Sequence, residues 1–231
     1  MSKKRIELLD AIRGVDIFAV LYYHFCYDLA MFGLVSWDFI YCLPMEILER
    51  TGASVFILMA GFSCRLSRNN LKRGAQVFLC GVLVSAVSSI AGITIRFGVL
   101  QLLGSCMMIY GVLGKYLEKL PKWVIPAVSL PMFVWGYYVY RNVRIASEWL
   151  YPFGLRGAQF TSADYFPLFP WFFMFLVGAW LGREILTRGR KPWMNRTYPR
   201  VLTVPGQHTL IIYMLHQPPL YAIAWGLSML K

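Results

Sequence analysis

Residues 12–34 read IRGVDIFAVLYYHFCYDLAMFGL. A helix crosses about 30 Å of hydrocarbon in roughly 20 residues, so this largely apolar stretch is long enough to span a bilayer. It also carries Arg13, Asp16, His24, Tyr27 and Asp28, which a simple anchor does not need. At about 100° per residue, Arg13 and His24 lie roughly 20° apart around the helix, with Asp16, Tyr27 and Asp28 within about 60° of Arg13. These groups form one polar stripe. Ionisable groups at membrane depth cost at least about 2.5–3.5 kcal/mol each on insertion scales, so the stripe is expected to face a hydrated cavity or other polar groups.

The rest of the chain repeats the apolar theme. Its 231 residues are 58% hydrophobic and 15% charged, with mean hydropathy +0.54, which excludes an ordinary soluble domain. Apolar runs at 12–34, 51–66, 74–94, 97–114, 123–140, 167–187 and 207–229 predict about seven spans in an all-α transmembrane bundle. With no internal repeat and no domain-sized linker, residues 1–231 read as a single integral membrane domain. The net charge of +12 comes from short basic clusters between apolar runs, which points to membrane topology and away from nucleic acid. Lys3, Lys4 and Arg5 begin one side; Arg65, Arg68, Lys72 and Arg73, then Lys115, Lys119 and Lys122, continue it. Arg183, Arg188, Arg190, Lys191, Arg196 and Arg200 complete it. The intervening segments hold fewer cations, and the bias predicts N-inside, C-outside. Met1 to Arg5 is basic ahead of an apolar run, but Asp10, Arg13 and Asp16 interrupt that run, which argues against a cleaved signal peptide. The five cysteines, Cys26, Cys42, Cys64, Cys80 and Cys106, show no metal-ligand or disulfide spacing, so no metal is expected.

His24 lies eleven residues beyond Arg13, about 16 Å deeper along a helix. Near mid-membrane it can take a proton from an attacking hydroxyl or amine, with Asp28 one turn on to orient the ring. In the competing reading His24 hydrogen-bonds within the bundle and Asp28 pairs with a neighbouring helix. The density of ionisable groups weighs against that. The segment from Arg141 to Pro170 mixes charge, Gly, Pro and aromatic residues and reads as a cap over a cavity. Asp164 and Trp171 flank Pro167 and Pro170 there, a geometry that aims polar groups and an aromatic wall at a cavity or simply starts a helix at the interface. Gln101 lines the same cavity or bonds a neighbouring helix. His216 and Gln217 precede Pro218 and Pro219, which predict a broken or kinked last span whose opened backbone holds a ligand or satisfies itself by packing.

Several blocks carry a family resemblance. Leu9-Asp10-Ala11-Ile12-Arg13-Gly14 followed by Tyr23-His24-Phe25-Cys26-Tyr27-Asp28-Leu29 resembles the start of transmembrane acyltransferases. Arg96-Phe97-Gly98-Val99-Leu100-Gln101, the run from Asp164 to Trp171, Gly178 to Arg183, and Gly206-Gln207-His208 through Leu215-His216-Gln217-Pro218 agree in order. From about Arg5 to Pro219 the chain resembles the heparan-alpha-glucosaminide N-acetyltransferase catalytic-domain family, whose wider superfamily includes the bacterial acyltransferase-3 enzymes. The resemblance implies acyl-CoA as donor on the cytoplasmic side and a sugar amine or hydroxyl as acceptor on the other. Lysosomal members carry a proposed active-site histidine beyond the first span, whereas this chain has no histidine between His24 and His208, so that role does not transfer.

The expected mechanism places acyl-CoA phosphates near Arg13 and the thioester near His24, which acts as general base with Asp28 as orienter. Asp164, Trp171, Gln101, His216 and Gln217 are the expected substrate contacts. The expected partners are the lipid bilayer, acyl-CoA and a sugar-containing acceptor, with a homodimer left open and a bacterial inner membrane as the location. The alternatives are a small secondary transporter, for which the polar stripe is a proton or anion path, and a polysaccharide-assembly scaffold without acyl transfer.

Overall fold

The computed structural model describes residues 6–90, 92–189 and 192–230. Lys3, Lys4, Arg5, Arg190 and Lys191, which enter the topology argument, lie outside the described residues. Ten α-helices run through the described residues: α1 Glu7–Met31, α2 Trp37–Ile40, α3 Leu43–Cys64, α4 Asn70–Ile90 and α5 Val99–Leu117, then α6 Val124–Asn142, α7 Leu168–Thr187, α8 Arg200–Gln207, α9 Thr209–Leu215 and α10 Gln217–Ser228. Four of them, α3, α4, α5 and α7, are long and apolar enough to cross a membrane, with 22, 21, 19 and 20 residues. The protein is an all-helical integral membrane protein.

The helix ends follow from local chemistry. Glu7 and Asp10 sit in the first turn of α1, where carboxylates complement the positive end of the helix dipole. The helix stops at Met31 because Gly33 takes φ +68°, and the Gly33 and Leu34 N–H groups bond back to the Ala30 and Leu29 carbonyls at 3.0 and 2.9 Å. Glycine meets no Cβ penalty in that left-handed cap. The second apolar run, expected over 51–66, belongs to a helix that starts at Leu43. Its first turns carry an Arg50–Glu46 ion pair at i, i+4, and that charged face hides the helix from an apolar window. The run expected over 207–229 is divided into α9 and α10 at His216. Pro218 and Pro219 have no N–H to continue the ladder, so a fresh helix begins there, where prolines fit the first turn.

The chain forms two compact units, one from the described residues of Met1–Phe56 and Gly189–Lys231, the other from Ile57–Arg188. In the first, α1 packs on α8, α9 and α10. A Cβ at Gly14 would strike the Leu202 carbonyl, and one at Gly206 the Asp10 carbonyl, so glycines on both helices set the close α1–α8 crossing. Cys26, Ala30, Ile40 and Met45 form a core beside it, joining the end of α1 to α2 and the start of α3. In the second unit α4 packs on α5, and α7 packs on α5 and α6. Gly61 and Gly178 bring the end of α3 against α7 in the same way, each facing a backbone carbonyl of the other helix, Phe175 and Leu58.

Candidate functional site

Within the first unit, α1 is continuous from Glu7 to Met31, so the whole polar stripe rides on one helix. Asp10, Asp16 and Asp28 are buried. Arg13 donates to Asp10 at 3.3 Å, which neutralises part of the charge near the helix start. The second carboxylate oxygens of Asp16 and Asp28 are buried without a hydrogen-bond partner among the described residues. Such orphaned oxygens are costly, and native structures keep them chiefly where a further group is to be bound.

The stripe meets the break between α9 and α10. The His24 and His216 rings lie 4.8 Å apart, centroid to centroid. Gln217 donates its side-chain N–H to Asp28 Oδ1 at 2.7 Å, bridging residues 189 positions apart. His216 Nδ1 sits 2.6 Å from the Tyr213 carbonyl oxygen. A carbonyl only accepts, so Nδ1 carries the proton, and the neutral ring keeps its lone pair on Nε2. That Nε2 is buried and has no partner among the described residues. The arrangement therefore offers a proton acceptor of fixed tautomer beside a second imidazole. Asp28, expected to orient His24, has one oxygen engaged by Gln217.

The remaining candidates, Gln101, Asp164 and Trp171, belong to the second unit and have structural work there. Gly98 has no side chain to cap α5, and two others supply the missing acceptors. Gln101 Oε1 accepts from the Gly98 N–H at 2.7 Å, and Asp164 Oδ2 accepts from the Val99 N–H at 3.1 Å. A Cβ at Gly98 would collide with that Asp164 carboxylate. The signal for Gln101 was in the sequence, as a polar side chain three residues into a helix bonding back to its cap. The capping reach of Asp164 spans 65 positions and carried no local signal. Trp171 is buried, with Phe133 and Phe166 rings at 5.4 and 5.3 Å. It packs the top of α7 against α6.

His216, expected as a ligand contact, stands beside His24, a pairing that no local pattern in the sequence signals. A histidine two residues before a Pro-Pro pair, in the last apolar run, was the available hint.

An apolar helical chain that sets a half-buried His24 against a buried His216, with unsatisfied carboxylate oxygens on the same helix, is a membrane protein with polar groups in its interior, the class to which polytopic transferases and proton-coupled carriers belong. The family model described as heparan-alpha-glucosaminide N-acetyltransferase, catalytic, matches residues 5–218. The chain belongs to that acetyltransferase family. No curated protein and no solved structure matches it.

Proposed function

We propose that the protein moves an acetyl or other acyl group from cytoplasmic acyl-CoA to an amine or hydroxyl of an extracytoplasmic glycan or glycolipid. The observation that carries this reading is the meeting of the α1 stripe with the α9–α10 break at His24 and His216. The family match covers residues of both units, which favours one working membrane domain.

His24 serves as the base. As the acceptor N or O attacks the thioester carbonyl, its proton passes to the imidazole, and the tetrahedral adduct collapses by breaking the C–S bond. The leaving CoA thiolate takes the proton back, so the site returns to its starting state. His216, with Nδ1–H committed to Tyr213, offers Nε2 as a second acceptor that holds the nucleophile or the proton in flight. Asp28 and Gln217 position the break against α1 and offset imidazolium charge. Arg13, held by Asp10, faces the donor phosphates. Gln101, Asp164 and Trp171 cap α5 and pack α7 within the second unit.

The spans in this reading are α1, α3, α4, α5, α6, α7 and the broken α9–α10 pair, N-inside and C-outside, in a bacterial inner membrane. Within the second unit, two sets of contacts support alternate sidedness of the loops. The segment before α5 pairs with the segment before α7 through Ala163 N–H to Thr94 O at 2.9 Å and Phe166 N–H to Phe97 O at 3.0 Å. At the other helix ends Arg65 pairs with Glu118, and Arg183 donates to Leu120 O at 3.2 Å.

The test is release of free CoA from acetyl-CoA by purified protein in detergent, with and without a glucosamine-containing acceptor mixture. Acceptor-stimulated release that disappears in His24→Ala supports the reading. A folded protein that neither binds nor consumes any acyl-CoA overturns it in favour of a proton-coupled carrier.

A further inference from the structure

The stretch joining α6 to α7, residues 143–167, is largely non-helical yet thoroughly tied down. Arg144 and Arg156 form an isolated parallel bridge, with the Ile145 N–H donating to Arg156 O at 3.0 Å. The Arg156 guanidinium lies 4.7 Å from the Tyr140 ring centre and 5.6 Å from that of Tyr165, and donates to Tyr140 O at 2.7 Å. Burial lowers its pKa below the usual arginine value. Tyr165 donates its hydroxyl to Tyr151 O at 2.6 Å, and the Phe160 ring packs between those of Tyr151 and Tyr165 at 5.4 and 4.6 Å. Ser162 Oγ accepts from the Arg96 N–H at 2.8 Å, fastening this segment to the one before α5. A connection with so many internal ties is a scaffold for something on its surface.

On it opens a cavity of about 470 Å³ lined by Arg96, Glu148, Trp149, Tyr151 and Gln159. That volume falls within the range of about 300–1,000 Å³ common to small-ligand sites. Trp149 is 85% exposed, an unusual state for the largest apolar side chain at a cavity wall. Neither Arg96 nor Glu148 is in an ion pair among the described residues. The Glu148 carboxylate lies against the Cα of Gly157, where any Cβ would displace it. The lining therefore combines two aromatic side chains, a carboxylate, a carboxamide and a guanidinium, the last 5.7 Å from the Phe160 ring centre.

That combination fits one chemistry best. A pyranose ring presents an apolar C–H face, which an indole or phenol covers, and a rim of hydroxyls, which a carboxylate, an amide and a guanidinium bond as acceptors and donors. The acyl-CoA donor fits poorly, since several phosphates would meet Glu148 and a single arginine. A lipid surface fits poorly as well, since it would leave three polar side chains without partners.

We propose that this cavity is a docking subsite for a pyranose ring of the acceptor glycan, with Trp149 and Tyr151 covering the sugar face and Glu148, Gln159 and Arg96 bonding its rim. The assignment rests on the acyltransferase reading, since it gives that reading's acceptor a place to dock.

The test is equilibrium binding of a fluorescently labelled glucosamine tetrasaccharide to the full chain in detergent, with acetyl-CoA binding measured beside it. Trp149→Ala and Glu148→Gln should each weaken sugar binding about tenfold, equivalent to roughly 1.4 kcal/mol, and leave acetyl-CoA binding unchanged. Both residues are exposed, so the thermal midpoint should hold; Gly157→Ala supplies an independent disturbance through the Glu148 carboxylate. Undiminished sugar binding in all three variants overturns the subsite and makes Trp149 a membrane-interface anchor. Failure of wild type to bind the sugar while it still consumes acetyl-CoA also overturns it, with the acyltransferase reading intact. Sugar binding that depends on Trp149, in a protein that never engages acyl-CoA, supports the site and sinks the transferase.

Discussion

The interiors of the two units differ in what they bury, although both bring helices together at glycines, Gly14 and Gly206 in the first and Gly61 and Gly178 in the second. Where α1 meets α9 and α10, carboxylates and the His216 imidazole are buried, and Asp16, Asp28 and His216 each keep one polar atom unsatisfied among the described residues. Where α3 and α4 meet α7 and α5, glycines press against facing backbone, and the core is Leu102, Phe175, Ile57 and their like. Membrane helices associate by close packing of small residues, so the second interior stabilises the fold. Unsatisfied buried polar atoms occur in the second unit too, at Asn70, Ser85, Arg156, Trp171 and Trp180; the first differs in that its orphaned atoms sit on two carboxylates and an imidazole. On the proposed reading, the reacting groups His24 and His216 lie in the first unit.

If that contrast is right, substitutions should divide cleanly between activity and stability. His24→Ala should lower acceptor-stimulated CoA release by about 10²–10⁴-fold, the usual scale of general-base catalysis, with little change in thermal midpoint. His216→Ala should approach the same loss, and the double variant should lose little more, because residues acting as a unit are not additive. Gly178→Val should do the reverse: it drives a side chain into the Leu58 carbonyl, costs about 1–3 kcal/mol or more, and shows as a lowered midpoint or lost expression. An intermediate case is Gln217→Leu, which strips the partner from a buried carboxylate and should cost about 1–3 kcal/mol while also reducing turnover; Asp28→Asn in the same background should restore the midpoint and not the rate. Asp164→Ala should remove one cap of α5 and lower stability by about 1 kcal/mol in a denaturation series, with donor binding unchanged. The smallest effect belongs to Glu118→Gln, which breaks a partly exposed pair with Arg65 and should cost about 0–1 kcal/mol, less at high salt. Equal losses of activity and stability for His24→Ala would collapse the distinction.

Legibility followed the same line. The run at 167–187 became α7, Leu168–Thr187, almost as read, because its apolar residues and Pro167 signal both content and start. The helix at Leu43–Cys64 was read short because its first turns are charged. At the site, the stripe on α1 was legible from a 3.6-residue period, and the break near His216 from two prolines. Gln101, Asp164 and Trp171, expected as ligand contacts, also serve capping and aromatic packing, while Trp171 keeps a buried Nε1 without a partner among the described residues. Polar residues near helix ends satisfy backbone groups as readily as they bind substrate, and a sequence alone does not separate the two uses.

The sequence by itself determined what depends on neighbours along the chain: helical membrane character, the polar face of α1, the helix break, and, through ordered blocks, the family. Only the tertiary structure decided which distant groups share a place. It set His216 beside His24, gave Asp28 to Gln217 across 189 positions, and folded the segment before α7 into a cap for α5 and a wall for a cavity. Periodicity reports which face of a helix is polar; which other helix meets that face is fixed by packing, through contacts such as those of Gly14 and Gly206 that admit only one close approach.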